Sequence, residues 1–319
     1  MVMDLFNLKL ANQLKKQLGR FSAEGEPSEL SGLSKAYLDF YKLPLPETQW
    51  CVSLGTLNIN QQSIFCASWR PNKAKAKATA LLVHGYMDHL GLYKHLITFL
   101  LSQNIAVVCF DLPGHGLSAG EPGHIDDFAK YTDVLETLIE TCQQHFPTPL
   151  HALGQSMGGA ILLKHLINHS RTSDYPFHTV NLFAPLLHPK AWATSRLFLP
   201  FIKLFKQSIQ RVFRYSSHDQ AFLDFLRYKD PLQPRTIPIT WLGAMDQWAK
   251  EFKSSDANAF PVNLIQGSAD KTLDWQHNTK VFKNKLANLQ VTMIDRANHH
   301  MVNEIESLRR EIFDAIQLN

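Results

Sequence analysis

The apolar residues of this chain fall into short continuous runs separated by stretches of helical periodicity. Runs cover residues 79–83, 105–110, 150–153, 180–183, 262–265 and 290–294. Each is too short for a buried helix, and together they read as short buried strands. Between them, spacing of three and four residues predicts helices over 91–101 and 126–145, from Gly159 onward, between 265 and 290, and from about Val302 to the end. Strands alternating with helices imply a mostly parallel sheet covered on both sides. Right-handed crossovers then bring the carboxyl ends of these strands to one edge. Ahead of them, residues 50–69 read as two strands separated at Gly55, the second over 58–69, followed by a lysine-rich turn.

Two segments depart from this rhythm. In residues 1–46, Leu10, Leu14, Leu18 and Phe21 recur at helical spacing with Lys9, Lys15, Lys16 and Arg20 mostly elsewhere on the wheel. This predicts a helical leader docked on its own core, with a membrane-surface helix as the alternative. Residues 185–248 show no strand pattern. Trp192, Leu197, Phe198, Phe201, Leu204 and Phe205 are interspersed with Lys190, Arg196, Lys203, Lys206, Arg211 and Arg214. A helical insertion between two core strands predicts a cap above the strand ends, with an apolar, cation-ringed surface suited to lipid. The expected division is a leader (1–46), a first core part (47–184), a cap (185–248) and a second core part (249–319).

Composition narrows the class. The 319 residues are 45% hydrophobic and 19% charged, with a net charge of +4, as in a soluble globular protein. No clustered basic stripe marks a nucleic-acid binder. The four cysteines, Cys51, Cys66, Cys109 and Cys142, are scattered and form no disulfide framework, which favours a reducing compartment. The N-terminal stretch has no signal-peptide pattern, and no segment reaches the roughly 20 apolar residues of a membrane span. The expectation is a cytoplasmic protein with peripheral contact at the inner membrane surface.

Chemistry enters at Gly154-Gln155-Ser156-Met157-Gly158, between a predicted strand and a predicted helix. A chain that turns sharply enough to lift a serine above the sheet leaves no room for flanking side chains, and glycine fits there. A serine hydroxyl needs a base during attack, and a histidine base needs a carboxylate to fix its tautomer. Asp270 lies just past the 262–265 run, with Asp274 as a competitor. His299 and His300 both follow the 290–294 run, and spacing barely separates them. Two backbone donors are needed for the oxyanion: Met157 N–H after the serine, and Tyr86 N–H in the loop after the 79–83 run. His84 reads as a histidine that braces this loop, and residues 111–118 as scaffold beside the site. Asp88, His89, His115 and His124 make no recognised ligand spacing, and neither a dinucleotide fingerprint nor a phosphate loop is present. No metal or cofactor is expected.

These motifs together resemble the α/β-hydrolases of the monoacylglycerol lipase and lysophospholipase group, which is grouped with the serine aminopeptidase-like hydrolases. The resemblance rests on His84-Gly85 with His89, on Asp111, Gly114-His115-Gly116, Ser118 and Gly120, and on Phe128, Tyr131 and Asp133. It continues through Gly154, Ser156-Met157-Gly158-Gly159, Gly267-Ser268-Ala269-Asp270, and Ala297 with His299. It covers roughly residues 80–300. It implies an α/β-hydrolase fold with a cap, Ser156 as nucleophile, Asp270 as acid, His299 as base, and Tyr86 and Met157 at the oxyanion hole. The implied substrates are carboxylic esters of single-chain lipids, monoacylglycerol or lysophospholipid. A small-ester carboxylesterase and a non-catalytic binding relative are the alternatives. Gln155, Asp88 and Leu92 depart from the group, where histidine, glutamate and arginine are usual, and leave the headgroup open.

Overall fold

A computed structural model describes residues 6–23, 30–45, 50–71, 75–169 and 174–319. The leader supplies α1 (Leu8–Gln17) and α2 (Gly32–Tyr41). The hairpin β1 (Trp50–Ile59) and β2 (Gln62–Pro71) follows, then β3 (Ala78–Val83), α3 (Lys94–Ser102), β4 (Ile105–Phe110) and α4 (Ala129–His145). Next come β5 (Leu150–Gln155), α5 (Met157–Asn168) and β6 (Thr179–Phe183). Between β6 and β9 (Val262–Gly267) lie α6 (Trp192–Phe205), β7 (Ser208–Gln210), α7 (Gln220–Asp224), β8 (Thr236–Pro238) and α8 (Ile239–Ser254). The chain closes with α9 (Trp275–Lys285), β10 (Leu289–Ile294) and α10 (Glu306–Asp314).

Eight strands form one sheet in the order β1-β2-β4-β3-β5-β6-β9-β10. From β4 to β10 every neighbouring pair is parallel, and β1 and β2 are antiparallel at one edge. This is the mostly parallel sheet expected from the alternating runs, and it fits the α/β-hydrolase fold that the resemblance implies. Successive strand residues feed opposite layers, as a two-residue period requires. Leu81 and Val83 join one apolar cluster with Leu135, Ile161 and Trp248, while Ala80 and Leu82 join the other with Leu14, Leu96 and Ile312.

The leader's α1 buries Ala11 and Leu14 completely against the second cluster. The helix stops at Gln17, so Phe21 is not on its wheel; Phe21 N–H instead donates to Thr56 O at 2.9 Å. This contact explains Gly55, which was read as a break and lies inside β1: a Cβ there would come within 2.5 Å of Phe21 Cα. The hairpin turns at Asn60 and Gln61, both with positive φ (49° and 63°), a primed turn built without its usual glycine.

The insertion also differs from the sequence reading. Its β7 and β8 pair antiparallel as a short ribbon, three residues each, too short to show alternation. The boundary placed at 248 falls inside α8, whose Trp241, Met245, Trp248 and Phe252 are buried in the first cluster. Three layers meet at one buried carboxylate. Asp230, in the insertion, accepts from Tyr41 Oη of α2 at 2.7 Å and pairs with His89 Nε2 of the core at 3.0 Å. Among the described residues, no helix is long and apolar enough to cross a membrane.

Candidate active site

Ser156 stands between β5 and α5 with φ 53° and ψ −110°, a conformation that costs on the order of 1–3 kcal/mol for a residue with a side chain. The surroundings hold it there. Ser156 N–H donates to Phe183 O at 2.8 Å, and Ser156 O accepts from Leu186 and Ala160 N–H at 3.0 and 3.1 Å. The flanking glycines are sterically required. A Cβ on Gly158 would lie 2.0 Å from Val83 O, and one on Gly154 would lie 2.7 Å from Gly158 C.

Asp270 follows β9 and His299 follows β10. Their loops are clipped together: Ser268 N–H donates to Ile294 O at 3.0 Å and Ala269 N–H to Ala297 O at 3.0 Å. Gly267 allows this approach, since its Cβ would fall 2.2 Å from Ala297 O. The result joins three side chains distant in sequence. His299 Nδ1 lies 2.8 Å from Asp270 Oδ2, and His299 Nε2 lies 3.0 Å from Ser156 Oγ. The carboxylate can only accept, so Nδ1 carries the proton and Nε2 presents a lone pair to the serine O–H. Burial alone would raise the Asp270 carboxyl. The neighbouring His299 and its hydrogen bond, with Leu273 and Thr272 N–H, outweigh burial and hold it below the usual aspartate range. Asp274 instead caps α9, accepting from His277 N–H.

The structure also separates the two adjacent histidines. His300 Nε2 pairs with Asp88 Oδ1 at 3.1 Å, and Asp88 Oδ2 accepts from Tyr93 Oη. Burial opposes the Asp88 charge, but His300 overcomes it and the carboxyl lies well below its usual range. His84 spans its loop: Nδ1–H donates to Gly85 O at 2.7 Å and Nε2 accepts from Leu112 N–H at 2.9 Å. Burial, helped by neighbouring His115, pushes its pKa down to about 3, so the brace is a neutral ring.

Met157 is the first residue of α5, where an N–H has no acceptor within its own helix. Tyr86 N–H has no acceptor among the described residues. The Tyr86 ring is fixed from both ends: Oη donates to Gly123 O at 2.9 Å, and the face stacks on Trp241 at 3.6 Å. Trp241 Nε1–H points at Met157 Sδ, 3.4 Å away. Gln155, which departs from the resembled group, has a structural role here. Its Nε2 donates to His299 O at 2.9 Å, tying the end of β5 to the histidine loop. A polar residue ending a buried strand was the one available signal.

Elsewhere, Glu136 of α4, His165 of α5 and His169 just past α5 each bring a ligand-type atom within 4.8 Å of the others. The Glu136–His165 contact of 2.6 Å ties these two helices together.

Comparison with known proteins bears on the family and the fold. Residues 74–306 match the family described as serine aminopeptidase S33. The chain is 36% identical over 231 residues to the monoglyceride lipase of Rattus norvegicus, covering 68% of this chain and 73% of that one. It is 22% identical over 262 residues to a probable lysophospholipase L2 of Haemophilus influenzae, covering 74% and 81%. Its fold is similar to a solved structure of a soluble variant of monoglyceride lipase from Saccharomyces cerevisiae, with a TM-score of 0.70 and 18% identity over 86% of this chain and 94% of that chain. With most of its length under one family match and a sheet edge built around Ser156, this chain belongs to the serine aminopeptidase S33 family of α/β-hydrolases.

Proposed function

We propose that this carboxylic ester hydrolase cleaves single-chain lipid esters through an acyl-enzyme on Ser156, with His299 as base and Asp270 as its orienting acid. The observation that carries the reading is the unbroken relay Ser156–His299–Asp270, presented by a strained serine at a helix N-terminus. Ser156 Oγ attacks the ester carbonyl as its proton passes to His299 Nε2. The Asp270 carboxylate stabilises the imidazolium. The oxyanion forms beside Met157 and Tyr86 N–H, donors worth about 3 kcal/mol each. Collapse releases the alcohol, which takes its proton from His299. Water then attacks the acyl-serine by the reverse route and frees the fatty acid. No step calls on a cofactor.

The insertion supports the lipid part of the reading. Leu197, Phe201, Leu204 and Phe205 of α6 are exposed, near the cations Arg196 and Lys206 in the sequence. Exposed apolar residues of this size mark a contact surface. We take residues from α6 to β8 as a cap that touches membrane or micelle.

The test is fluorophosphonate labelling with an ester panel graded by chain length. Wild type should label and prefer medium or long acyl chains, and Ser156→Ala should do neither while folding normally. Full turnover in Ser156→Ala would refute the mechanism, and preference for acetyl esters would refute the lipid reading.

A further inference from the structure

The helix that starts at Ser156 carries a polar cluster at its other end. His165 lies in the last turn of α5, and His169 is the residue that closes the helix. At 1.5 Å per residue these positions are roughly 14–20 Å from the serine, so they have no part in the steps above. Glu136 of α4 reaches the same place. Its Oε2 stands 2.6 Å from His165 Nε2, and the rings of His165 and His169 are 4.2 Å apart between centroids. One carboxylate and two imidazoles thus each offer a donor atom within 4.8 Å of the other two.

The hydrogen bonds behind the rings decide which nitrogens are available. His169 Nδ1 lies 2.8 Å from His165 O, a carbonyl that can only accept. Nδ1 therefore carries the proton and Nε2 keeps a lone pair. His165 Nδ1 lies 3.1 Å from Tyr175 Oη, and that hydroxyl stands 3.5 Å from Leu162 O. A hydroxyl donates or accepts as its neighbours require. With Tyr175 donating to Nδ1, His165 Nε2–H donates to Glu136. With Tyr175 turned to Leu162 O and accepting from Nδ1–H, Nε2 faces the carboxylate with a lone pair. Two acceptors that close need a cation between them. In that state both histidines have the outer N–H held by an oxygen, as metal-ligating histidines do.

Packing fixes one side of the cluster and leaves the other open. The His165 ring is buried beside Phe177, and Tyr175 is held between Phe177 and Phe260 at 5.6 and 4.7 Å. The Glu136 side chain is 47% exposed, and His169 is half-buried past the last turn of the helix. Zinc–nitrogen bonds of about 2.1 Å set tetrahedral ligand atoms about 3.4 Å apart. The Glu136–His165 pair has to open by about 0.8 Å and His169 to close by at most about 1.4 Å. The two residues that must move are the two on the open side.

We infer that Glu136, His165 and His169 form a binding site for a divalent transition cation of the zinc class, which joins α4 to the C-terminal end of the nucleophile helix. Two imidazoles favour such an ion over Ca²⁺ and Mg²⁺, which take oxygen ligands. On binding, the Nε2 proton of His165 passes to solvent and the cation takes its place beside the carboxylate. Three protein ligands leave a further position for water. The role is structural. The unfolded chain does not hold the three groups together, so the ion stabilises the folded state. The site stands apart from the ester-cleaving edge and does not depend on that reading.

The experiment titrates the full chain, stripped of metal by a chelator, with Zn²⁺ in a calorimeter. Wild type should bind one Zn²⁺ per chain more tightly than about 0.1 mM, and excess Mg²⁺ should not displace it. His169→Ala and Glu136→Gln should each weaken binding by at least about 10-fold, and Tyr175→Phe by about 10-fold through the loss of the outer hydrogen bond. Glu136→Gln keeps an acceptor for His165 Nε2–H, so the metal-free fold is preserved. His277→Gln removes one ring of a second histidine pair, His188 and His277 at 4.7 Å, and should leave affinity within about twofold. Free Zn²⁺ at roughly 100 times its dissociation constant should raise the unfolding midpoint of wild type by about 4 °C and leave that of His169→Ala unmoved. No binding tighter than about 0.1 mM, unchanged affinity in either His169→Ala or Glu136→Gln, or loss of binding in His277→Gln overturns the site.

Discussion

The strand-end edge and the insertion above it are built in opposite ways. At the edge, loops after β3, β5, β9 and β10 are buried and cross-linked by backbone hydrogen bonds, and glycines stand where a methyl would collide with a carbonyl. In the insertion, α6 turns large apolar side chains to solvent, and the ribbon of β7 and β8 is three residues long. The edge spends stability to hold Ser156 in a strained conformation. The insertion is held by polar joints, Asp230 among them, and by apolar anchors such as Trp192 and Leu226 that reach the core clusters, and it leaves the outer face of α6 exposed. Under the proposed function, the rigid edge would carry the chemistry and the insertion the contact with lipid.

Substitutions at each place can break the contrast, and the edge should give the largest effect. Asp270→Asn should lower kcat on a soluble ester by about 10⁴-fold by loss of the correct His299 tautomer, with a steady-state assay as the check. A fall of less than tenfold would separate the edge from the chemistry. Next is the joint between layers. Asp230→Ala leaves His89, whose pKa is raised by that carboxylate against the opposing effect of burial, without its partner. It should cost about 3 kcal/mol in urea unfolding. An unchanged midpoint would mean that the insertion is tethered elsewhere.

Acid should weaken the edge through its buried neutral histidines. His84 and His115 are held neutral, with pKa values pushed down to about 3 and about 4, whereas an unfolded histidine titrates near 6.5. Below that value the unfolded chain binds protons that the folded chain refuses. Stability therefore falls as pH drops from 6.5 toward 4, by up to about 1.4 kcal/mol per pH unit for each ring. Unfolding free energies across that range check the slope. The smallest effect on stability should come from Leu204→Ser with Phe205→Ser, which are 75% and 83% exposed. Stability should move by less than about 0.5 kcal/mol while binding to lipid vesicles weakens. Intact vesicle binding would remove α6 from the proposed membrane contact.

Much of this could be read from one dimension. The short, largely apolar segments located β3 to β6 and β9, which are buried on both faces, and also β10, which is the half-exposed edge strand. The Gly-x-Ser-x-Gly pattern located the turn because steric exclusion acts on adjacent residues. What the sequence hid depended on distant neighbours. Gly55 looked like a break because Phe21, which needs its space, is far away in the chain. His299 and His300 follow the same strand, and only the packed loops show that one meets Asp270 and the other Asp88. The paired β7 and β8 were invisible because three residues carry no period.

By itself the sequence determined the order of elements, the parallel sheet and the strand ends where candidate chemistry must lie, since periodicity and glycine sterics are local. The tertiary structure alone decided which histidine faces Ser156 and that Gln155 holds the histidine loop. Those are facts of proximity across 29 to 144 positions of chain. Proximity at that range is set by how whole layers pack.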